Sequence, residues 1–573
     1  MSNRSARVVA LALALLLSLV LVTPGAARAA GGWDGAQIAA WAAGPERAWA
    51  AMTEANGAIP DRLEPPYGAF NYGTLMLAQA QLRAARRSAD DELQKAAVAQ
   101  VLGTLRRDPQ GDPFYVLGAT TLLRDGQAGR LPASAWARIE QPLSDWIGRI
   151  APFRRRVFGS TGGYDNWRLV FAAGAAELAQ AGLLGSRDGI AADPVALRAE
   201  VRRIVTRLMP RNAGPRVPVR RVGLARALSD PPWQPPAYHL FSALLLERVY
   251  QSEPDAFSAT ALRIRREAGR YALALMAPDG ALTPAGRSAE QSWVLAAAVD
   301  LGAMRASDRG RDAPAWRAFA ERAMDRLVRV HGQLDDGTIP VVPGLWQRWD
   351  ASIMDGYASM TQYNGLTLSL LQDAADRWPD GVRVGRVPAD RAGHLVADVG
   401  GARLVWGRAP RVWWALSMRR TQRDGRYQQG LTALKVLDGG AWRDLLASRP
   451  QSGLSSGWEL RTPRGTARLV LAHVRGSGSR VRLFGAWRLA DGRRWRAAHW
   501  ELRTHRATTT ITTERLRAGE TLTAGLWLAA GVAPSFESGW VLPSACVVTA
   551  SGWGCPVRLR LEQPVAARLT LRG

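Results

Sequence analysis

The spacing of apolar residues changes near Asp390, and the change divides the chain into two kinds of structure. Before it, apolar residues recur every three or four positions in "GTLMLAQAQLRAARR", "LVFAAGAAELAQAG", "HLFSALLLERVYQ", "QSWVLAAAVDLGAM" and "NGLTLSLLQDAADRW", the period of one helix face. Roughly twelve such helices fit between Gln37 and Trp378, separated by Gly, Pro and Asp. After it, "ARLVWG", "RVWWALSM", "ARLVLAHV", "RVRLFGAWRL", "RWRAAHWELR", "ATTTITT" and "AARLTLR" alternate or run apolar as strands do. Twelve helices make six hairpins, and hairpins placed in sequence close into a double ring whose inner helices are buried all round. The expectation is therefore an (α/α) toroid, incomplete or of six hairpins, over 30–385, and an antiparallel β-sandwich over 386–573. No fixed-period consensus of an open solenoid is present.

The first residues, "MSNRSARVVALALALLLSLVLVTPGAARAA", have a basic start at Arg4 and Arg7, an apolar run from Val8 to Val22 and an Ala27-Arg28-Ala29 exit. This is the pattern of a cleaved signal peptide over 1–29 and predicts a secreted protein; an uncleaved anchor is the alternative, though the run is short for a span. No later segment is apolar enough to insert stably in a membrane. An exported chain suits a disulfide, and Cys546 and Cys555 are the only cysteines, bracketing a strand and a Gly-containing turn. With no cysteine earlier, and no H-E-x-x-H, P-loop or G-x-S-x-G pattern, the sequence points to no metal site, no cofactor and no cysteine nucleophile.

The net charge is +26, with 75 Lys and Arg against 49 Asp and Glu. Lys95 and Lys435 are the only lysines, so the excess is carried by arginine. Outside the cell such a balance suits an acidic polysaccharide or an anionic surface better than nucleic acid. A solvated basic surface with no specific partner is the plain alternative. The oligomeric state is not legible.

Four segments crowd polar and aromatic groups in front of an apolar helix: "GGYDNWRL", "PPWQPPAYHLF", "GALTPAGRSAEQSW" and "MDGYASMTQYNGL". Taken singly, Asp165, Ser288 and Asn364 need only cap a helix, and Trp167 and Trp293 need only pack. Four such mouths in successive hairpins, in a chain with 23 tryptophans, suggest a cleft at one end of the ring, since an indole face stacks on a sugar.

With N-W at 166–167, Y-H at 238–239, G-R-S at 286–288 and Y-N at 363–364, the chain resembles the (α/α)-toroid polysaccharide lyases of the hyaluronate/chondroitin, xanthan and heparinase or alginate type. The resemblance implies β-elimination on a uronate polymer. An amide or guanidinium, here Asn166 and Arg287, would stabilise the charge that develops when the C5 proton leaves. Tyr238, His239 and Tyr363 would divide the roles of base and acid. Substrate contacts would fall to Trp167, Trp233, Glu290, Gln291, Trp293, Asp355, Tyr357 and Asn364. Neighbours on a helix project in different directions, so only one of Tyr238 and His239 is expected to face the cleft. Two alternatives stay open. A toroid glycoside hydrolase would use paired carboxylates among Asp165, Glu290 and Asp355, and a non-catalytic glycan-binding protein would need no reactive residue.

Overall fold

The structure is a computed structural model that describes residues 32–61, 63, 69–107, 113–148, 165–181, 194–228, 236–282, 284–343, 358–419, 424–449, 457–537, 539–549 and 551–572. The leader over 1–29 lies outside the described residues, and among them no helix is long and apolar enough to cross a membrane. Among the described residues twelve helices run in chain order: α1 Gly35–Ala51, α2 Tyr72–Ser88, α3 Asp91–Leu105, α4 Pro113–Gln127, α5 Ala133–Gly148, α6 Asp165–Ala181, α7 Pro194–Arg203 with its continuation to Asn212, α8 Pro236–Ser252, α9 Ala259–Leu275, α10 Ser292–Ser307, α11 Ala313–Arg326 with its continuation to His331, and α12 Met360–Asp376.

The even-numbered helices pack side by side in the order α2, α4, α6, α8, α10, α12, and α12 returns to α2, so the ring is closed. The odd-numbered helices lie outside them. Burial follows: outer α5 buries one stripe, Ala135, Ile139, Leu143 and Trp146–Ile147, whereas inner α10 buries every residue from Ser292 to Ala306 except Arg305. The seam of the ring depends on two glycines. A Cβ added at Gly365 would stand 2.1 Å from the Gly73 carbonyl oxygen, and one at Gly73 would stand 2.4 Å from Gln362 Cα, so α2 and α12 approach more closely than any side chain allows.

One end of the ring axis is filled by charge. Each inner helix contributes: Arg83, Arg124 with Asp125, Glu177, Arg248, Asp300 and Asp373. Asp373 accepts from Arg83 at 2.6 Å, Arg124 at 2.9 Å and Arg248 at 2.5 Å. Arg124 also reaches Glu177 at 2.9 Å, and Arg248 reaches Asp300 at 2.9 Å. Burial alone would raise the Asp373 carboxyl, but Arg124, Arg248, Arg377 and Arg83 together hold it well below the usual carboxylate range. This end of the axis is therefore filled by a structural plug.

The helical part also holds a hairpin that helical periodicity does not predict, β1 Ala213–Val219 with β2 Gly223–Leu228. Pro215 and Pro218 in "AGPRVPV" exclude a helix there. After Asp390 come β3 Leu395–Asp398, β4 Leu404–Arg408, β5 Val412–Ser417, β6 Gly430–Asp438, β7 Ala441–Asp444, β8 Glu459–Thr462, β9 Gly465–Ser477, β10 Arg480–Leu489, β11 Arg494–His505, β12 Thr508–Arg515, β13 Thr521–Ala529, β14 Pro534–Glu537, β15 Trp540–Pro543, β16 Val547–Thr549, β17 Gly552–Leu561 and β18 Ala566–Arg572. The strands β3 to β7 form a five-stranded meander, and the rest an 11-stranded antiparallel sheet. Between the sheets Val405, Trp414 and Leu434 of the first meet Leu460, Trp487, Leu526 and Leu569 of the second in one core. Cys546 and Cys555 are joined by a disulfide.

The small sheet seats the β domain on the toroid. Trp406 Nε1 donates to the Ala274 carbonyl at 2.7 Å, and the Tyr271 hydroxyl donates to Asp398 at 2.8 Å. Buried Lys435, on β6, donates to Asp279 at 2.9 Å and to Asp444 at 2.5 Å. Asp279 also accepts from Arg326 at 2.7 Å.

Candidate active site

The inner helices all start at the end of the ring opposite the plug, and at the α2–α12 seam the first turns are capped by side chains that reach from one helix start to the other. Asn71 caps α2 by accepting from the Gly73 N–H at 2.9 Å and donates to Ser359 Oγ at 3.4 Å. Ser359 in turn caps α12 by accepting from Gln362 N–H at 3.0 Å. Asp61 adds a second cap, accepting from the N–H of Met360 at 3.2 Å and of Thr361 at 2.7 Å.

On this frame the first turns lay down a floor of rings. Tyr72 stacks on Phe114 at 4.6 Å, Phe114 on Phe241 at 5.9 Å, Phe241 meets Trp293 edge-on at 5.5 Å, and Trp293 stacks on Tyr363 at 6.0 Å. Tyr238 joins at 5.8 Å from Trp293. Five inner helices supply these rings; α6 supplies Asn166 and Trp167. Asn166 is buried and its Oδ1 accepts from the Trp167 N–H at 2.8 Å, a bond that uses the carbonyl side of the amide and not its NH2. Trp167 is 40 % exposed, unlike the buried Trp293.

The reactive groups gather around Tyr238. The Arg287 guanidinium lies 4.6 Å from the centre of its ring, and Ser288 Oγ donates to its hydroxyl at 3.3 Å. The segment carrying them is contorted: Gly286, Ser288 and Glu290 have φ of 85°, 60° and 63°, and a left-handed serine and glutamate are costly enough to mark a constrained loop. The β domain holds this loop from the other side. Gly286 N–H donates to the Arg426 carbonyl at 2.9 Å, and Tyr427, whose hydroxyl burial pushes up to about 12 against the pull of Arg287, sits under Arg419 with its ring centre 5.1 Å away.

The other expected residues fall differently. His239 points away from the mouth: Nδ1 accepts from the Leu228 N–H at 2.8 Å and Nε2 lies 3.1 Å from the Ala268 carbonyl. Burial lowers its pKa to about 4, so it is a neutral imidazole bonded to backbone on both sides and not a base in the cleft. Asn364 is fully buried; its Oδ1 accepts from Trp49 Nε1 at 3.0 Å and from the Ile339 N–H at 2.9 Å, while Nδ2 donates to the Ile339 carbonyl at 2.8 Å. It ties α12 to the outer layer and does not face a substrate. Glu290 is buried beside Arg326 at 3.5 Å, within the ion cluster that binds the two domains, and burial raises its pKa. Gln291 is buried and accepts from Trp293 Nε1 at 2.5 Å. Tyr363 is buried in the floor. Trp233, Asp355 and Tyr357, with Gly162, Gly163 and the side chain of Asp165, lie outside the described residues.

Sequence reasoning missed Ser288 as a partner, the pair Tyr72 and Gln362, which are hydrogen-bonded at the mouth, and Arg419 with Tyr427. The last two sit in "MRRTQRDGRYQQG", a basic turn-rich stretch between two apolar strands that was the available signal.

No protein-family model matches the chain, and no curated protein matches it. Among solved structures, the chondroitin AC lyase of Streptomyces coelicolor A3, in complex with chondroitin sulphate, superimposes with a TM-score of 0.51 at 12 % identity, over 94 % of this chain and 80 % of that one. The heparan sulfate lyase HepC mutant from Pedobacter heparinus gives 0.44 at 10 % identity over 94 % and 89 %, and a glycosyl hydrolase family 88 protein from Bacteroides vulgatus gives 0.37 at 10 % identity over 60 % and 99 %. The first likeness shows that the chain has the fold of an (α/α)-toroid polysaccharide lyase; the other two are too loose to argue from.

Proposed function

We propose that the protein is an exported polysaccharide lyase that cleaves a uronate-containing chain by β-elimination. The observation that carries this reading is the bracketing of one phenol, Tyr238, by a guanidinium and a hydroxyl at the mouth of an aromatic-floored ring, while Glu290, the expected carboxylate described there, is spent on Arg326. A glycoside hydrolase needs two carboxylates facing the scissile bond. The fold shared with a lyase that binds chondroitin sulphate agrees with the reading.

In this mechanism the sugar stacks on Trp167, and its carboxylate takes hydrogen bonds from Asn166 Nδ2 and from Arg287. Both donors strengthen as the C5–H bond breaks and charge moves onto the carboxylate oxygens. A cation set against a phenol favours negative charge on its oxygen, so Tyr238 is the group to accept the C5 proton. The electron pair forms the C4–C5 double bond, the C4–O bond breaks, and the proton held on Tyr238 passes to the departing glycosidic oxygen. His239 takes no part.

The test is a set of variants assayed for unsaturated product. Tyr238→Phe and Asn166→Asp should each lower turnover by about a hundredfold or more, the second because a like charge then faces the uronate. Asn166→Ser, which keeps an oxygen near the Trp167 N–H but loses the amide donor, should also lower turnover by about a hundredfold. Glu290→Gln should keep turnover within about tenfold; its loss alongside full activity of Tyr238→Phe would replace this mechanism with a hydrolytic one.

A further inference from the structure

A cavity of about 210 Å³ opens beside the mouth within the β domain, lined by Arg419, Gln428, Gln429, Trp458, Arg468 and Arg488. It lies close to the site just described, because Arg419 also covers the ring of Tyr427, the neighbour of Arg287. Gln429 is 7 % exposed, and its Nε2 has no hydrogen-bond partner among the described residues. A buried amide donor left unpaired is costly and calls for a reason.

A second cost lies on the same wall. Arg468 on β9 stands directly opposite Arg488 on β10, and Arg488 stands opposite Arg494 on β11 across a bulge. Like charges in directly opposed positions destabilise a sheet. Further along the same strands the directly opposed Arg480 and Arg503 share Glu501 with Arg482, although Arg475 also stands opposite Arg482. At the cavity the lining carboxylate is Glu459, opposite Arg468 on its other side, and the guanidiniums outnumber it.

We propose that this cavity is an anion subsite, and that it binds a carboxylate or sulfate ester on the same glycan chain whose scissile residue lies at Tyr238. Gln429 and Arg419 receive the anionic group, and the arginine ladder carries the following sugars across the β domain. The substrate is then a polymer with negative charge on several successive residues. The inference rests on reading the mouth as a glycan cleft, but it is tested by binding and not by turnover.

The experiment uses the full chain and two end-labelled uronate oligosaccharides, one heparin-derived and sulfated, one the same chain desulfated, with affinity read by fluorescence anisotropy at several salt concentrations. Arg468→Gln/Arg488→Gln should weaken binding at least about tenfold and flatten its salt dependence, while its melting temperature holds or rises because opposed charges are gone. Arg480→Gln/Arg482→Gln, which removes the same charge at the far end of β10, should stay within about twofold. Loss confined to the sulfated chain identifies a sulfate site; loss on both identifies a carboxylate site. Equal effects of the two double variants, no effect of the first, or no binding of either oligosaccharide by the parent protein overturns the proposal. If the parent binds with this pattern yet yields no unsaturated product, the lyase mechanism fails and the subsite stands.

Discussion

Two adjacent residues, Tyr238 and His239, have opposite fates because one step along a helix turns a side chain by nearly a third of a circle. Tyr238 reaches the mouth; His239 is driven into the packing between α8, α9 and β2, 4.8 Å from the Tyr271 ring. The burial has a measurable sign. The folded pKa of about 4 lies below the ordinary 6.5, so the neutral ring contributes stability in full above pH 6.5, and that contribution falls as pH drops toward 4. His239→Gln cannot take up that proton. Melts across the pH range should show parent and variant furthest apart near neutrality and converging below pH 6.5, by up to about 3 kcal/mol. A gap that stays constant from pH 7 to 4.5 would contradict the neutral, backbone-bonded assignment. The sequence could place both residues at the mouth but could not orient them, because orientation depends on β2, a strand that helical spacing hides. Asn364 is the same case: its role is fixed by Trp49 and Ile339, distant in sequence from one another.

At the scale of elements, the inner ring was legible because helices buried all round are apolar all round. Its plug was not. Arg83, Arg124, Arg248 and Asp373 each read as a polar end of an apolar helix, and only closing the ring brings them to one axis. Asp373 touches four guanidiniums, those of Arg83, Arg124, Arg248 and Arg377, so removing it leaves several buried cations uncompensated. Asp373→Leu should destabilise the protein by about 3 to 5 kcal/mol, visible as a lower denaturation midpoint, whereas breaking the exposed Glu92–Lys95 pair by Glu92→Gln should leave the midpoint where it is. Equal effects would mean that the plug does not hold the ring together. In the C-terminal part, alternation revealed strands and a sandwich, and the two cysteines revealed their own pairing, but nothing in the alternation says which strands line a cavity; Arg468 of β9 and Arg488 of β10 do.

As a whole, the molecule gathers its rings at one end of the helical ring and a cluster of paired charges at the other. The toroid brings Asn166, Tyr238 and Arg287, and the β domain brings Tyr427, Arg419 and the arginine wall, locked to the toroid through Lys435, Asp279 and Arg326. The +26 total charge suits an anionic partner without saying where it would lie. The central claim is that bond cleavage here is an elimination, and its signature is a double bond conjugated to the uronate carboxyl at every new non-reducing end. The direct measurement incubates the purified protein with a panel of uronate polymers and follows ultraviolet absorbance of unsaturated ends together with reducing ends. Elimination predicts that on at least one polymer the two rise together, one unsaturated end for each reducing end; reducing ends that accumulate without absorbance would contradict it.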